Sequence, residues 1–176
     1  ENPGTGFPGE SAGVLPYRDR WRDIERVTLA YGYGLAVTPL QLARAFCVFA
    51  RPGELAGTLP PVRMNAAGDA GVVERVIPAD VAITARTPMA GTAQRMTDQI
   101  PRLWPGETTE WSHKIFGKSG TARIAVSNPP EGHRRARGFP AYYPRQYHSS
   151  FLAAGPLENP QLVVLVVIDD PGPGLV

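Results

Sequence analysis

The strongest periodic signal begins at Thr38. Leu42, Ala45, Phe46, Phe49 and Ala50 recur at spacings of three and four, which sets them on one stripe of a helix. Thr38 can cap with its hydroxyl, Pro39 suits the first helical position because the N–H it lacks would be unpaired there, and Gln41 can bond back to the cap. Pro52-Gly53 stops the run, so the pattern predicts a helix from Pro39 to about Ala50. Before it, Trp21 to Leu29 is amphipathic until Tyr31-Gly32-Tyr33-Gly34 interrupts. Residues 1–20 hold too much glycine and proline for an ordinary element and read as a series of turns. Residues 51–76 read as loop with one short strand near Val72 to Ile77, followed by a helix that Pro78-Ala79-Asp80 opens and that runs to about Ala85. Arg86 to Glu110 shows no clear period.

Three strands are predicted farther on: Ile115 to Val126, His148 to Ala154 and Gln161 to Asp169. Leu162 to Ile168 is apolar at every position, so both faces of that strand should be covered, which predicts an interior place in the sheet with helices on each side. The six-residue link from Gly155 to Pro160 predicts an antiparallel hairpin between the last two strands. The fold class expected is α/β (α+β), an antiparallel sheet sandwiched between helices, in one domain.

Composition adds limits rather than chemistry. The 176 residues are 43% apolar, enough for a packed core despite 19 glycines and 19 prolines. A net charge of +2 names no polyanionic partner, and the single cysteine, Cys47, excludes an internal disulfide or a multi-cysteine metal site. Cys47 falls within the amphipathic helix and reads as a small core residue. His113, His133 and His148 are too scattered to suggest a metal site, and no metal or cofactor is expected. The apolar run Leu162 to Ile168 is far shorter than the roughly 20 residues of a membrane span. The chain opens on Glu1 and closes on Leu175-Val176 without a signal segment, which reads as a piece of a longer protein cut at both ends. Between Glu131 and Tyr147, Arg134, Arg135, Arg137 and Arg145 alternate with Phe139, Tyr142, Tyr143 and Tyr147. Such a mixture can bind single-stranded nucleic acid, but four arginines on one solvated connection are ordinary, and no nucleic-acid partner is expected.

Three short motifs compete for the chemistry. Gly9-Glu10-Ser11-Ala12-Gly13 fits the nucleophile elbow of serine hydrolases, yet that elbow needs an apolar strand before the serine and a helix after it, and neither is predicted. Gly117-Lys118-Ser119 fits the end of a phosphate-binding loop, but Ser112 stands where the first glycine is needed and the continuation reads as strand rather than helix. The third reading takes Lys118-Ser119-Gly120-Thr121 on a strand: a fixed positive charge, two hydroxyl donors, and a glycine that lets a ligand approach the backbone. That combination suits an acyl substrate bearing a carboxylate. Taken alone it is four common residues, and the end of a strand with a solvated lysine is the plainer reading.

The remaining segments give it weight. Thr5-Gly6-Phe7-Pro8-Gly9-Glu10-Ser11-Ala12-Gly13-Val14-Leu15-Pro16, Tyr31-Gly32-Tyr33-Gly34 followed by Val37-Thr38-Pro39-Leu40-Gln41-Leu42-Ala43, Gly117-Lys118-Ser119-Gly120-Thr121-Ala122, and Ser149-Ser150-Phe151 with Gly155-Pro156 and Val164 to Pro171 occur in that order. Together they resemble the C-terminal part of the transpeptidase domain of class B, division-type penicillin-binding proteins, with a short deletion in the first segment and Asp170 in place of a glutamate. Residues 51–115 and 127–146 match only by position.

The resemblance implies a fold like that of the serine β-lactamases and a peptidoglycan D,D-transpeptidase acting through an acyl-enzyme. In this family S-x-x-K and S-x-N precede the matched segments, and none of the six serines here begins either motif, so the nucleophile is expected upstream and this piece alone is expected to be inactive. Carried over by position, Lys118 would bond the S-x-N hydroxyl and support proton transfer. Ser119 and Thr121 would contact the substrate carboxylate, the Thr121 N–H would be one oxyanion-hole donor, and Gly120 would leave the strand bare for the substrate. Expected partners are stem peptides ending in D-Ala-D-Ala, β-lactams and membrane proteins of cell division and wall synthesis, at the extracytoplasmic (periplasmic) face of an inner membrane. A scaffold that has lost its nucleophile and only binds partners is the alternative.

Overall fold

The computed structural model describes residues 8–15, 21–62, 74–106, 113–126 and 140–172. In chain order these form α1 (Asp23–Ala30), α2 (Pro39–Ala50), a short 3-10 turn (Gly53–Leu55), β1 (Thr58–Leu59), β2 (Glu74–Arg75), α3 (Ala79–Thr84), α4 (Arg86–Thr97), α5 (Ile100–Leu103), β3 (Phe116–Ala125), β4 (Tyr142–Gly155) and β5 (Leu162–Asp169). Strands β3, β4 and β5 make an antiparallel sheet in that order, and β1 pairs with β2 apart from it.

Helix α2 begins as its sequence dictates. The Thr38 hydroxyl accepts from the Gln41 N–H at 3.2 Å and the Gln41 side-chain oxygen accepts from the Thr38 N–H at 2.8 Å, so each satisfies one donor left over by the helix start. The Gln41 amide nitrogen also donates to Ala12 O at 3.0 Å. That bond and the Val14–Ala36 bridge dock residues 12–14 on the start of α2. Ser11 therefore sits in a loop, and no helix follows it directly, because residues 11–13 are irregular and Val14 bridges to Ala36, which does not fit the hydrolase elbow.

Phe46 and Ala50 of α2 meet Phe116, Leu152 and Ala154 of the sheet to form the core, with Leu42, Phe49, Met89, Ala90, Leu157, Val163 and Leu165 packed around them. Phe116 is fully buried, its ring centroid 5.9 Å from that of Phe46. Arg86, the first residue of α4, is almost fully buried beside it. Its Nε donates to Phe49 O and its Nη2 to Arg51 O, both at 2.7 Å, so its guanidinium satisfies carbonyls at the end of α2 while its carbon lies 5.7 Å from the Phe116 centroid. Burial pulls its pKa below the ordinary guanidinium value.

Three expectations from the sequence change. The stretch from Arg86 that showed no period holds α4 and α5. Strand β4 starts at Tyr142 rather than His148, so Tyr142, Tyr143, Arg145 and Tyr147 of the arginine-aromatic stretch are strand, while Arg134, Arg135, Arg137 and Phe139 lie outside the described residues. Strand β5 is an end strand of the described sheet rather than an interior one. Val163 and Leu165 pack on the helices, but Leu162, Val164, Val166 and Ile168 on the other face are exposed, so among the described residues α2 and α4 cover one face only. The closing hairpin is antiparallel as the link length predicts.

Gly57 joins α2 to β2. It adopts φ +82°, its N–H donates to Val48 O at 2.8 Å and its carbonyl accepts from Val76 and Ile77, while an added Cβ would lie 2.1 Å from Ile77 O. Gly57→Ala combines left-handed strain with a clash against backbone, and a loss of roughly 2–4 kcal/mol is expected in a denaturant titration; a loss below 1 kcal/mol would show that the loop can yield.

Candidate functional site

All four candidate residues lie on β3, the strand at the other end of the sheet. Residues paired across antiparallel strands share a face, so the register fixes their sides: Lys118 faces with Leu152, Gly120 with Ser150 and Ala122 with His148, whereas Ser119 faces with Phe151 and Thr121 with Ser149. Lys118 and Gly120 are therefore on the helix-covered face, beyond Phe116, and Ser119 and Thr121 point to the opposite side. Burial falls along the strand in the same direction: Phe116 and Gly117 are buried, Lys118 is exposed, Ser119 is half-buried, and Gly120 and Thr121 are open.

Both glycines serve close approach. A Cβ at Gly117 would lie 2.5 Å from Leu152 O and 2.9 Å from the Phe151 ring, and one at Gly120 would lie 2.8 Å from Ser150 Oγ. The Ser150 hydroxyl instead donates to Gly120 O at 3.4 Å. The Lys118 ammonium donates to Ser119 O at 2.6 Å, so it folds along its own strand. Ser149 Oγ, on the side of Thr121, is buried without a partner among the described residues.

Among the described residues no strand pairs with the outer edge of β3. An open edge offers backbone donors and acceptors to a peptide-like ligand, and here it comes with an ammonium and two hydroxyls. Because Gly117-Lys118-Ser119 lies within the strand and not at a helix N-terminus, the phosphate-loop geometry is absent. Cys47 is half-buried on α2, and burial pushes its thiol pKa up, which suits a packing role rather than a reactive one.

Sequence reasoning passed over the pair at the far end of this face. His148 and Asp169 are register partners, with His148 Nδ1 and Asp169 Oδ1 2.5 Å apart. Only the alignment of three strands brings them together; nothing local announces it.

The described residues thus combine an exposed motif strand at the end of an antiparallel sheet with helices packed on the lysine-bearing face. Residues 1–175 match the family described as the penicillin-binding protein transpeptidase domain, and the chain belongs to that family. It is 31% identical over 174 residues to the peptidoglycan D,D-transpeptidase FtsI of Escherichia coli strain K12, covering 96% of this chain and 25% of that protein. It is 30% identical over 176 residues to the penicillin-binding protein PbpB of Mycolicibacterium smegmatis, covering 95% of this chain and 25% of that one. Among solved structures it is similar to the transpeptidase domain of penicillin-binding protein 3 from Burkholderia pseudomallei, with TM-score 0.69 and 34% identity over 96% of this chain and 45% of that chain. The chain thus spans less than half the length of the relatives it matches.

Proposed function

We propose that this chain forms one wall of the active site of a peptidoglycan D,D-transpeptidase whose acylated serine lies in a part of the protein upstream of Glu1. The carrying observation is Lys118-Ser119-Gly120-Thr121 on an open strand edge, in a domain whose relatives include proteins named peptidoglycan D,D-transpeptidases. In this reading the serine hydroxyl attacks the carbonyl between the two terminal D-Ala residues of a stem peptide. The C–N bond breaks, the departing D-Ala takes a proton, and an amine of a neighbouring strand then displaces the serine and restores its hydroxyl. Splitting the transfer into two steps lowers each barrier.

Each residue has a part in this. Lys118 supplies the fixed charge beside the S-x-N hydroxyl and eases proton movement. Ser119 and Thr121 hold the terminal carboxylate from the open edge, and the Thr121 N–H faces the developing oxyanion. Gly120 leaves the strand bare where the substrate backbone lies. β-Lactams would acylate the same serine. The protein would work at the extracytoplasmic face of an inner membrane, anchored by a segment outside this chain, with division and wall-synthesis proteins as neighbours. No helix among the described residues is long and apolar enough to cross a membrane.

The test is fluorescent-penicillin labelling of the complete gene product beside this 176-residue chain, with mass spectrometry to locate the adduct. Labelling of the complete protein alone, at a serine before Glu1, is the expected result. Absence of labelling in both would turn the reading toward a non-catalytic scaffold, and acylation of Ser11 or Ser119 would move the nucleophile into this chain.

A further inference from the structure

The lysine-bearing face of the sheet continues into a polar row that the proposed roles leave unused. Ser150 stands beside Gly120, and His148 stands beside Ala122, the residue after Thr121. Strand β3 brings only a hydrogen and a methyl group to this stretch, so both β4 side chains border low ground. On the other side His148 is held by Asp169, its register partner on the same face.

That contact settles how the ring presents itself. An ionised carboxylate only accepts hydrogen bonds, so Nδ1 carries the proton between them, and in the neutral ring Nε2 is left as an acceptor. Nε2 has no partner among the described residues, and the His148 side chain is 45% exposed. The chain leaving β5 is fixed at the same place. Asp170 sits at φ +47°, its N–H donates to Tyr147 O at 2.8 Å, and its carboxylate accepts from Gln146 Nε2 at 3.3 Å. Arg123, the nearest cation on β3, pairs in register with Tyr147 and so lies on the opposite face.

From these observations we infer that His148, oriented by Asp169, is a specificity-determining residue for the acyl donor: Nε2 accepts a hydrogen bond from an ammonium or amide N–H carried on the acyl side of the bond being cut. The inference rests on the transpeptidase reading. A ligand on the outer edge of β3 lies about two strand spacings, roughly 10 Å, from the β4 backbone, with only the Ala122 methyl group between them on this face. A substituent on the α carbon of a penicillin side chain, about 6 Å from the reacting carbonyl, and the length of the histidine side chain together span that distance.

The test compares two penicillins that differ there by one group, in the complete protein. Ampicillin carries an ammonium on that carbon and benzylpenicillin a hydrogen. His148→Phe is expected to lower the ratio of their second-order acylation constants, ampicillin over benzylpenicillin, about fivefold, the size of one hydrogen bond. His148→Gln, whose carbonyl can accept, should keep most of the ratio, and Asp169→Asn should lower it in the same direction as the phenylalanine variant. The ratio is read only from protein that acylates, so a partial folding loss cancels. Parallel loss with both penicillins, or a ratio unmoved in His148→Phe, would overturn the inference and leave the transpeptidase reading standing. No acylation of the unaltered protein by benzylpenicillin would overturn that reading, and this inference with it.

Discussion

Lys118→Ala, made in the complete protein, is expected to slow acylation by benzylpenicillin at least about a hundredfold, the scale on which removal of a single transition-state charge or donor acts in acyl transfer. The side chain is exposed and its described hydrogen bond is to the carbonyl of the next residue, so folding does not depend on it. The melting temperature should therefore move by no more than about 2 °C. Stopped-flow or gel-based labelling against time measures the rate, and a thermal melt checks the fold. A rate within threefold of the unaltered protein would remove Lys118 from the site. A large fall in melting temperature would instead make it a structural residue.

The second large effect belongs to Arg86 and falls on stability. Arg86→Ala removes two short hydrogen bonds to carbonyls at the end of α2, leaves those carbonyls without their partner, and empties space beside the fully buried Phe116. Together these losses should cost about 3 kcal/mol, measured by denaturant titration. Arg86→Lys should recover only part of it, because a single ammonium cannot hold two carbonyls in the fixed geometry of a guanidinium fork. A loss under 1 kcal/mol for the alanine variant would mean that water replaces the guanidinium at those carbonyls.

Arg86 also marks where the sequence stops being legible. Helix α2 is readable because Thr38, Pro39, Gln41 and the apolar stripe all give the same instruction, and its observed bounds match the prediction. Helix α4 carries none of those signs. It begins without a side-chain cap, has Pro88 in its first turn and Gly91 in its middle, and spaces three threonines along its length. It is held by contacts that no local pattern records: Met89 and Ala90 against the core, and Arg86 against the end of α2. Tertiary packing overrides propensity there. Strand β4 extends beyond its expected start at His148 because Pro144 and the left-handed Arg145 interrupt its pattern without ending the strand.

The site divides in the same way. Lys118 to Thr121 were legible as a candidate because they are consecutive, and β3 carries them with strand alternation separating their faces. Their setting depended on β5, whose unbroken apolar run suggested an interior strand, whereas the described sheet has it at an end with Val164, Val166 and Ile168 exposed. His148 and Asp169 are 21 residues apart and meet only once the register of the hairpin is known.

Strand β3 is anchored in the core at one end and exposed at the other. Phe116 and Gly117, fully packed, directly precede Lys118, so the backbone of the motif is a short rigid extension of the protein interior. The entropy of fixing that backbone is lost when the chain folds, not again at each encounter with a ligand. In the proposed transpeptidase a substrate arriving at this edge would meet a surface already in its working shape, and discrimination between ligands would come from their contacts, with no share diverted to ordering the strand.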